Sequence, residues 1–460
     1  MCPVFWVQAT AWAARRGQNE RIQLATRVEE RDSSPVEVRD EGGESLVSRA
    51  REVLGAPLIA LLAGWTLLAC RAPSNGWGLF RPGTWGRWDS GQYIRLGQNG
   101  YNAVWHCGGH SLPPHLPPGN YLCGTIGWFP GYPALGRSLS WLPGASLPGS
   151  LLFIAWVGWF LILVLIWRSM ADARSVWTRR MCLAIAAFAP AQVYFAAVFP
   201  ISITIAGILG CCYAAFRTTS RIALILGILG GLVAGLSYFT AVLAGPAIIV
   251  AALISLRGRA RLRALACGLA PLVGFGSVLL TMQITVGIWN AYFISAKKYG
   301  ISPHSPLQTL QDHLRPMWTY VPPKQYYLHV AAQQTLLALC LVAAGTLVTV
   351  ASWFAIGFLR TAPELTVDGP PDRPTGHSRL DRIARVLPAM DLALLMAALT
   401  TWVIPYIAGG SASTYRSEAF VILSVPLLRR VPWWLLVIPL AAAVYVAWRM
   451  APNFFNSKLI

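Results

Sequence analysis

The sequence predicts an all-α, polytopic membrane protein, and three observations carry that prediction. Of 460 residues, 55% are hydrophobic, 12% are charged and 20 are tryptophan, more apolar side chain than a water-soluble core of this size needs. Eleven segments read as membrane spans, each judged against the ~20 apolar residues that cross a bilayer. Arginines then fall between those segments on alternate sides, so the net charge of +19, from 37 basic and 18 acidic residues, sets orientation. A nucleic-acid partner is excluded on that ground.

Residues 1–52 form a charged cytoplasmic tail, mostly disordered; its start, MCPVFWVQATAWAARRG, places charge after the apolar stretch and makes a poor signal peptide. The transmembrane domain is 53–460. Its expected spans are Val53–Cys70, Ser150–Trp167, Met181–Ala197, Pro200–Phe216, Ile222–Tyr238, Ala241–Leu256, Ala264–Ile288, Leu328–Phe358, Pro388–Ile407, Ala419–Leu428 and Pro432–Trp448. The tenth is short, and the eighth is long enough to hide a break. With the N-terminus cytoplasmic, Arg168, Arg174, Arg179 and Arg180, then Arg217 and Arg221, the RGRARLR run, the 359–387 linker and Arg429–Arg430 all fall inside. Two long loops, 71–149 and 289–327, fall outside. They are rich in Pro, Trp and Tyr, as segments with helices lying at a lipid interface are.

The chain contains no Walker loop, dinucleotide-binding glycine pattern or HExxH, which argues against an ATP-driven pump. Any chemistry uses a substrate that arrives activated. Lysine occurs only at Lys297, Lys298, Lys324 and Lys458, and the excess of Arg, Ala, Gly and Pro is that of a high-GC bacterial genome. Six cysteines lie in apolar runs and Cys2 is terminal, leaving Cys107 and Cys123 as a disulfide candidate in the first outer loop.

The acids divide sharply. Nine lie between Glu20 and Glu52, six more are cytoplasmic, and three are outside: Asp89, Asp312 and Glu418. Asp89 stands in RWDSGQYIRLGQNGY and opens a short interfacial helix that stops at Asn99–Gly100. Two readings stand for it. As an N-cap it heads a capping-box-like Asp89-Ser-Gly-Gln92; as a catalytic carboxylate it uses Trp88, Tyr93 and Tyr101, which a cap does not need.

The stretch from Arg87 to Tyr101, followed by WFPGYPALGR at Trp128 to Arg137, resembles the RWD-x-x-x-Y-x-x-I-A-x-x-G-Y and FFPLYP signature of the PIG-V-like mannosyltransferases, polytopic glycosyltransferases of the GT-C class. The layout is also similar, with a long first outer loop, a second after the seventh span, and an arginine opening a late helix in TYRSEAF at Thr414 to Phe420. The chain departs from the pattern at VFPIS, where Ile201 stands for an acid, and at SYFTAVLAGP, which lacks an arginine. The resemblance implies a GT-C-like bundle in the plasma membrane and an extracytoplasmic active site. The reaction it implies is inverting transfer of a sugar, mannose, from a polyprenyl-phosphate donor to a lipid or glycan acceptor, with no metal and no cofactor. Asp89 would take the acceptor proton. Lys297, Lys298 and Arg416 are the outer cations for the leaving phosphate, Arg416 above all because its planar fork grips two oxygens.

Arg87, Trp88, Tyr93, Tyr101 and Tyr415 complete the substrate-binding candidates. Arg87 and Arg95 either bind headgroups or snorkel, and Tyr415 either stacks on a sugar or marks the interface. His106, His110 and His115 read as a surface loop and not a metal site. Asp312 reads as a helix-surface charge, and Glu418 as a partner for Arg416. Two other functions stay open: a transporter or flippase of a lipid-linked substrate, against which stands the scarcity of ionisable residues within spans, and a non-catalytic subunit that binds lipid-linked sugar.

Overall fold

The computed structural model describes residues 46–72, 76–102, 104–107, 121–297, 304–361, 389–408 and 413–458. The tail up to residue 45, most of the 359–387 linker, His110, His115 and Lys298 lie outside them. The chain divides into two units, Met1–Arg51 and Glu52–Ile460, and the second carries the helical bundle.

Helix α1, Leu46–Arg71, leads into the first loop. That loop folds as α2 (Pro82–Trp85), α3 (Ser90–Asn99), strands β1 (Val104–Cys107) and β2 (Tyr121–Gly124), and α4 (Gly131–Leu139). The two strands pair antiparallel, an addition to the expected all-helical architecture, and a Cys107–Cys123 disulfide crosses them. Then come α5 (Leu147–Ser169), α6 (Val176–Ala187), α7 (Val193–Ala196), α8 (Ile201–Phe216), α9 (Arg221–Ser237), α10 (Ala244–Ser255) and α11 (Gly258–Val286). The second loop holds α12 (Ala291–Lys297) and α13 (Pro306–Leu314). Finally α14 (Tyr326–Thr361), α15 (Ala389–Ile407), α16 (Ser413–Ser417), a 3₁₀ segment at Glu418–Arg430 and α17 (Val437–Phe455) complete the bundle.

Among the described residues six helices are long and apolar enough to cross a membrane. The other five of the eleven expected spans are shorter or irregular. Met181–Ala197 is broken between α6 and α7 because Pro190 supplies no backbone donor and Ala191 turns to φ 60°. Leu328–Phe358, long enough to hide a break, has none: α14 is one helix of 36 residues, about 54 Å long and so longer than the ~30 Å apolar core of a bilayer. Helices α8, α9 and α11 pack backbone to backbone. A Cβ on Gly235 would lie 2.1 Å from the Pro271 carbonyl, and one on Gly207 2.2 Å from that of Gly230. Where lipid tails are as apolar as leucine, close approach of this kind is what holds helices together, and here it fixes the end of α9.

At the arginine-rich end, the 3₁₀ segment is pinned by charge. Arg429, 1% exposed, donates to both oxygens of Asp391 (2.7 and 2.9 Å) and to Asp172 at 3.0 Å, while Arg217 also meets Asp172 at 3.0 Å. Arg429 and Arg217 together hold the Asp172 carboxyl below its usual range although partial burial pushes it up.

Two outcomes are expected. Cys107 and Cys123 should resist alkylation in intact cells until reductant is added, and replacing both should cost up to ~3 kcal/mol; modification without reductant contradicts the bridge. Asp391→Ala should lower stability by about 3 kcal/mol, since it takes both bonds of the buried guanidinium end and leaves Arg429 only the more exposed Asp172, so an unchanged unfolding midpoint in detergent would remove the cluster from the fold's supports.

Candidate active site

The motif Arg87–Ser90 is built as a rigid corner. Trp85 is buried and donates its Nε1 to the Leu79 carbonyl at 2.6 Å. Arg87 is spent on the backbone: Nη1 donates to the carbonyls of Gly83 (2.9 Å) and Gly86 (2.7 Å), and Nη2 to that of Phe455 (3.2 Å). Ser90 Oγ accepts from Arg87 N and donates to the Val198 carbonyl, both at 3.0 Å. Trp88 is thereby held at φ 44° with its ring edge-on to Phe454, 5.4 Å between centroids. A non-glycine residue in that region costs of order 1–3 kcal/mol, and it sits beside the aspartate.

Helix α3 runs from Ser90 to Asn99 and stops at Gly100, φ 59°, as the Asn-Gly signal predicts. Asp89 occupies its N-cap position, but the carboxylate makes no capping bond. It accepts from Arg416 Nη1 instead. This overturns the capping-box reading, and the expectation that Glu418 pairs with Arg416 falls with it. Arg416 lies over the Phe199 ring at 5.6 Å, its side chain 9% exposed against 27% for Asp89. Its Nε has no hydrogen-bond partner among the described residues and remains a spare buried donor.

The pair stands in the wall of a 390 Å³ cavity, within the range of small-ligand sites. Among the described residues, Asp89 is the sole carboxylate of its lining and Arg416 the sole cation. The remaining wall is largely aromatic: Tyr93, Trp128, Phe129, Tyr238, Phe239 and Tyr292. Phe129 meets Tyr292 edge-on at 5.0 Å, and Phe239 stacks on Tyr292 at 5.4 Å. Burial, and then the Asp89 charge, push the Tyr93 phenol well up, so it stays a proton donor.

Glu418 is the hub behind the site. Fully buried, it accepts from Gln334 Nε2 (2.5 Å), Thr335 Oγ1 (2.5 Å) and the Tyr406 hydroxyl (2.9 Å). Gln334 also donates to the Tyr415 carbonyl (3.0 Å) and accepts from the Ala191 amide (2.9 Å). One network therefore fixes the residues on both sides of Arg416 and the break before α7, whose continuation supplies Phe199.

Of the sequence candidates, Asp89, Tyr93 and Arg416 meet in the cavity. Arg87 and Trp88 shape the corner behind it. Tyr101, buried, donates to the Trp128 carbonyl at 2.9 Å and so positions the wall instead of forming it. Tyr415 faces His313, 4.8 Å between ring centroids, outside the cavity lining. Lys297 closes α12; its side chain, like the whole of Lys298, lies outside the described residues. Asp312 is exposed on α13. His106 lies on β1, and among the described residues no cluster of His, Cys, Asp and Glu could hold a metal. Sequence reasoning missed Tyr238, Phe239 and Tyr292 as site residues; the signal for the first two was the SYFT turn between two apolar runs.

No protein-family model matches the chain, and no curated protein matches it. Similar solved structures include three of archaeal origin. The apo oligosaccharyltransferase of Archaeoglobus fulgidus has 14% identity and a TM-score of 0.45, covering 89% of this chain and 56% of that one. The same enzyme tethered to an acceptor peptide has 13% identity, a TM-score of 0.42 and coverage of 89% and 55%. The archaeal oligosaccharyltransferase AglB of A. fulgidus with an inhibitory peptide and a dolichol-phosphate has 14% identity, a TM-score of 0.42 and coverage of 89% and 56%. The chain thus spans little more than half the length of these proteins, and a likeness this distant carries no argument about chemistry.

His313, beside Tyr415 and outside the cavity, gives the fold an acid limit. Burial lowers it to about 4, against the opposing charge of Asp312. The unfolded chain then binds the extra proton between about pH 6.5 and 4, so this contribution to stability is complete above pH 6.5 and is lost as pH falls toward 4. The detergent melting temperature of His313→Gln should fall less across that window than wild type's; parallel curves would contradict the assignment.

Proposed function

We propose that the chain is a glycosyltransferase of the GT-C class, similar to the PIG-V-like mannosyltransferases. It moves a sugar, mannose, from a polyprenyl-phosphate donor to a lipid or glycan acceptor at the extracytoplasmic face of the plasma membrane. The observation that carries this reading is one carboxylate and one guanidinium, paired, in an aromatic cavity with no other charge among the described residues of its lining.

The chemistry needs those two groups. An acceptor hydroxyl attacks the anomeric carbon and gives its proton to Asp89; the bond from that carbon to the phosphate oxygen breaks, and polyprenyl phosphate leaves with the electron pair. Because attack and departure occur on opposite faces, the configuration inverts. Arg416 neutralises the charge that develops on the phosphate, and its spare Nε–H is a donor not consumed by Asp89. The low exposure of the guanidinium makes that neutralisation stronger than it would be in water. Tyr93, held as a phenol, is a donor for sugar hydroxyls, and the flat rings of Tyr238 and Tyr292 suit the apolar face of a pyranose. Asp89 is the one carboxylate among the described residues of the cavity lining, and so the base in this reading.

Purified protein with radiolabelled polyprenyl-phosphate mannose and a lipid extract as acceptor should transfer label. Asp89→Asn keeps an acceptor oxygen for Arg416 but not the charge, so it should still fold, with some loss of stability, and turn over roughly 10²-fold slower or worse. Arg416→Lys should recover only part of what Arg416→Ala loses. Parental turnover in folded Asp89→Asn would end the assignment, and label that never leaves the donor would favour transport or passive binding.

A further inference from the structure

A second pocket opens at the same end of the bundle as the Asp89 cavity. It measures 440 Å³ and is lined by Tyr320, Lys324, Tyr326, Tyr327, Asn453 and Lys458, with Val321 and Pro323. The end of α17 that supplies Asn453 also carries Phe454 and Phe455, which meet Trp88 and Arg87. Arg449, one turn before Asn453, donates to the Tyr326 hydroxyl at 2.7 Å and lies 5.2 Å over its ring. Three cations therefore gather here. Among the described residues no acidic side chain lines the pocket, and none of the three cations is paired with a carboxylate.

That arrangement runs against the charge bias of the bundle. The opposite end of the bundle holds the arginine-rich connections, and the bias that orients membrane proteins depletes cations from the end where Lys324, Arg449 and Lys458 stand. Two of the chain's four lysines converge on this one pocket. The rim is aromatic and open, Tyr320 being 86% and nearby Trp318 68% exposed, as side chains at a membrane–water interface are. A soluble anion would need the charge but not the aromatic rim.

We propose that this pocket binds the phosphate of an anionic lipid headgroup, with Lys324 and Lys458 on the phosphate oxygens and Arg449 holding Tyr326 in place as its wall. The inference is independent of the sugar-transfer reading.

The test is binding of radiolabelled phosphatidylglycerol to the purified full chain in a neutral detergent, with phosphatidylcholine and inorganic phosphate as competitors. Binding should saturate, phosphatidylcholine should compete weakly, and inorganic phosphate at tens of millimolar should not displace the lipid. Each surface lysine is worth about fivefold, so Lys324→Gln/Lys458→Gln should weaken binding by roughly thirtyfold. Lys324→Arg/Lys458→Arg should bind like wild type, as should Arg221→Gln/Arg259→Gln, which removes equal charge from exposed positions at the other end. All three variants should keep the wild-type melting temperature, as surface substitutions do. Equal competition by phosphatidylcholine, displacement by inorganic phosphate at the lipid's own affinity, wild-type binding by the glutamine pair, or an equal loss at the other end would each overturn the proposal.

Discussion

The ion pair between Asp89 and Arg416 joins segments 327 residues apart in sequence, and much of the bundle can be understood as what makes that meeting possible. Neither group is there for local reasons. Asp89 sits where an aspartate would normally cap a helix, yet Ser90 takes over the polar work of that corner and leaves the carboxylate for Arg416. Arg416 is nearly buried, a position an arginine holds only with a partner in reach. Breaking such a contact leaves an uncompensated charge in a low-dielectric wall, so each half of the pair depends on the other.

Both halves are braced from behind. On the Asp89 side the strained Trp88 is wedged against Phe454, and Arg87 ties three carbonyls, one of them on the last helix. On the Arg416 side the following 3₁₀ segment is anchored at its start by the Glu418 network and at its far end by Arg429. Thirteen residues at a 3₁₀ rise span about 26 Å, most of an apolar bilayer core. Runs of 3₁₀ helix this long are uncommon, and Pro426 within it supplies no amide donor. The segment is buried along almost its whole length, so its neighbours and not its own hydrogen bonds hold it.

What the sequence disclosed, it disclosed through local signals. The Asn99-Gly100 stop placed the end of α3 correctly because it needs only a left-handed glycine; the count of outer acids left Asp89 among three, and the motif resemblance, with the fork of Arg416, picked out the two residues that pair. Pro190 could have revealed the break before α7. Residues whose role depends on packing stayed hidden: Tyr238 and Tyr292 reach the cavity only because α9 lies against α11 at the closeness Gly235 permits. Arg87 and Tyr101 bond backbone carbonyls, which the sequence does not show for a related reason. Their side chains carry the right donors, and nothing in a one-dimensional pattern tells whether a donor meets a substrate or a backbone carbonyl.

The central claim is that Asp89 and Arg416 act on one transition state. A double-mutant cycle on turnover, with Asp89→Asn, Arg416→Gln and the double variant in the same detergent, measures this directly. If the two groups act as a unit, the double variant should be no more than about threefold slower than the worse single variant. Losses that simply multiply would contradict a shared step and leave the two groups acting independently.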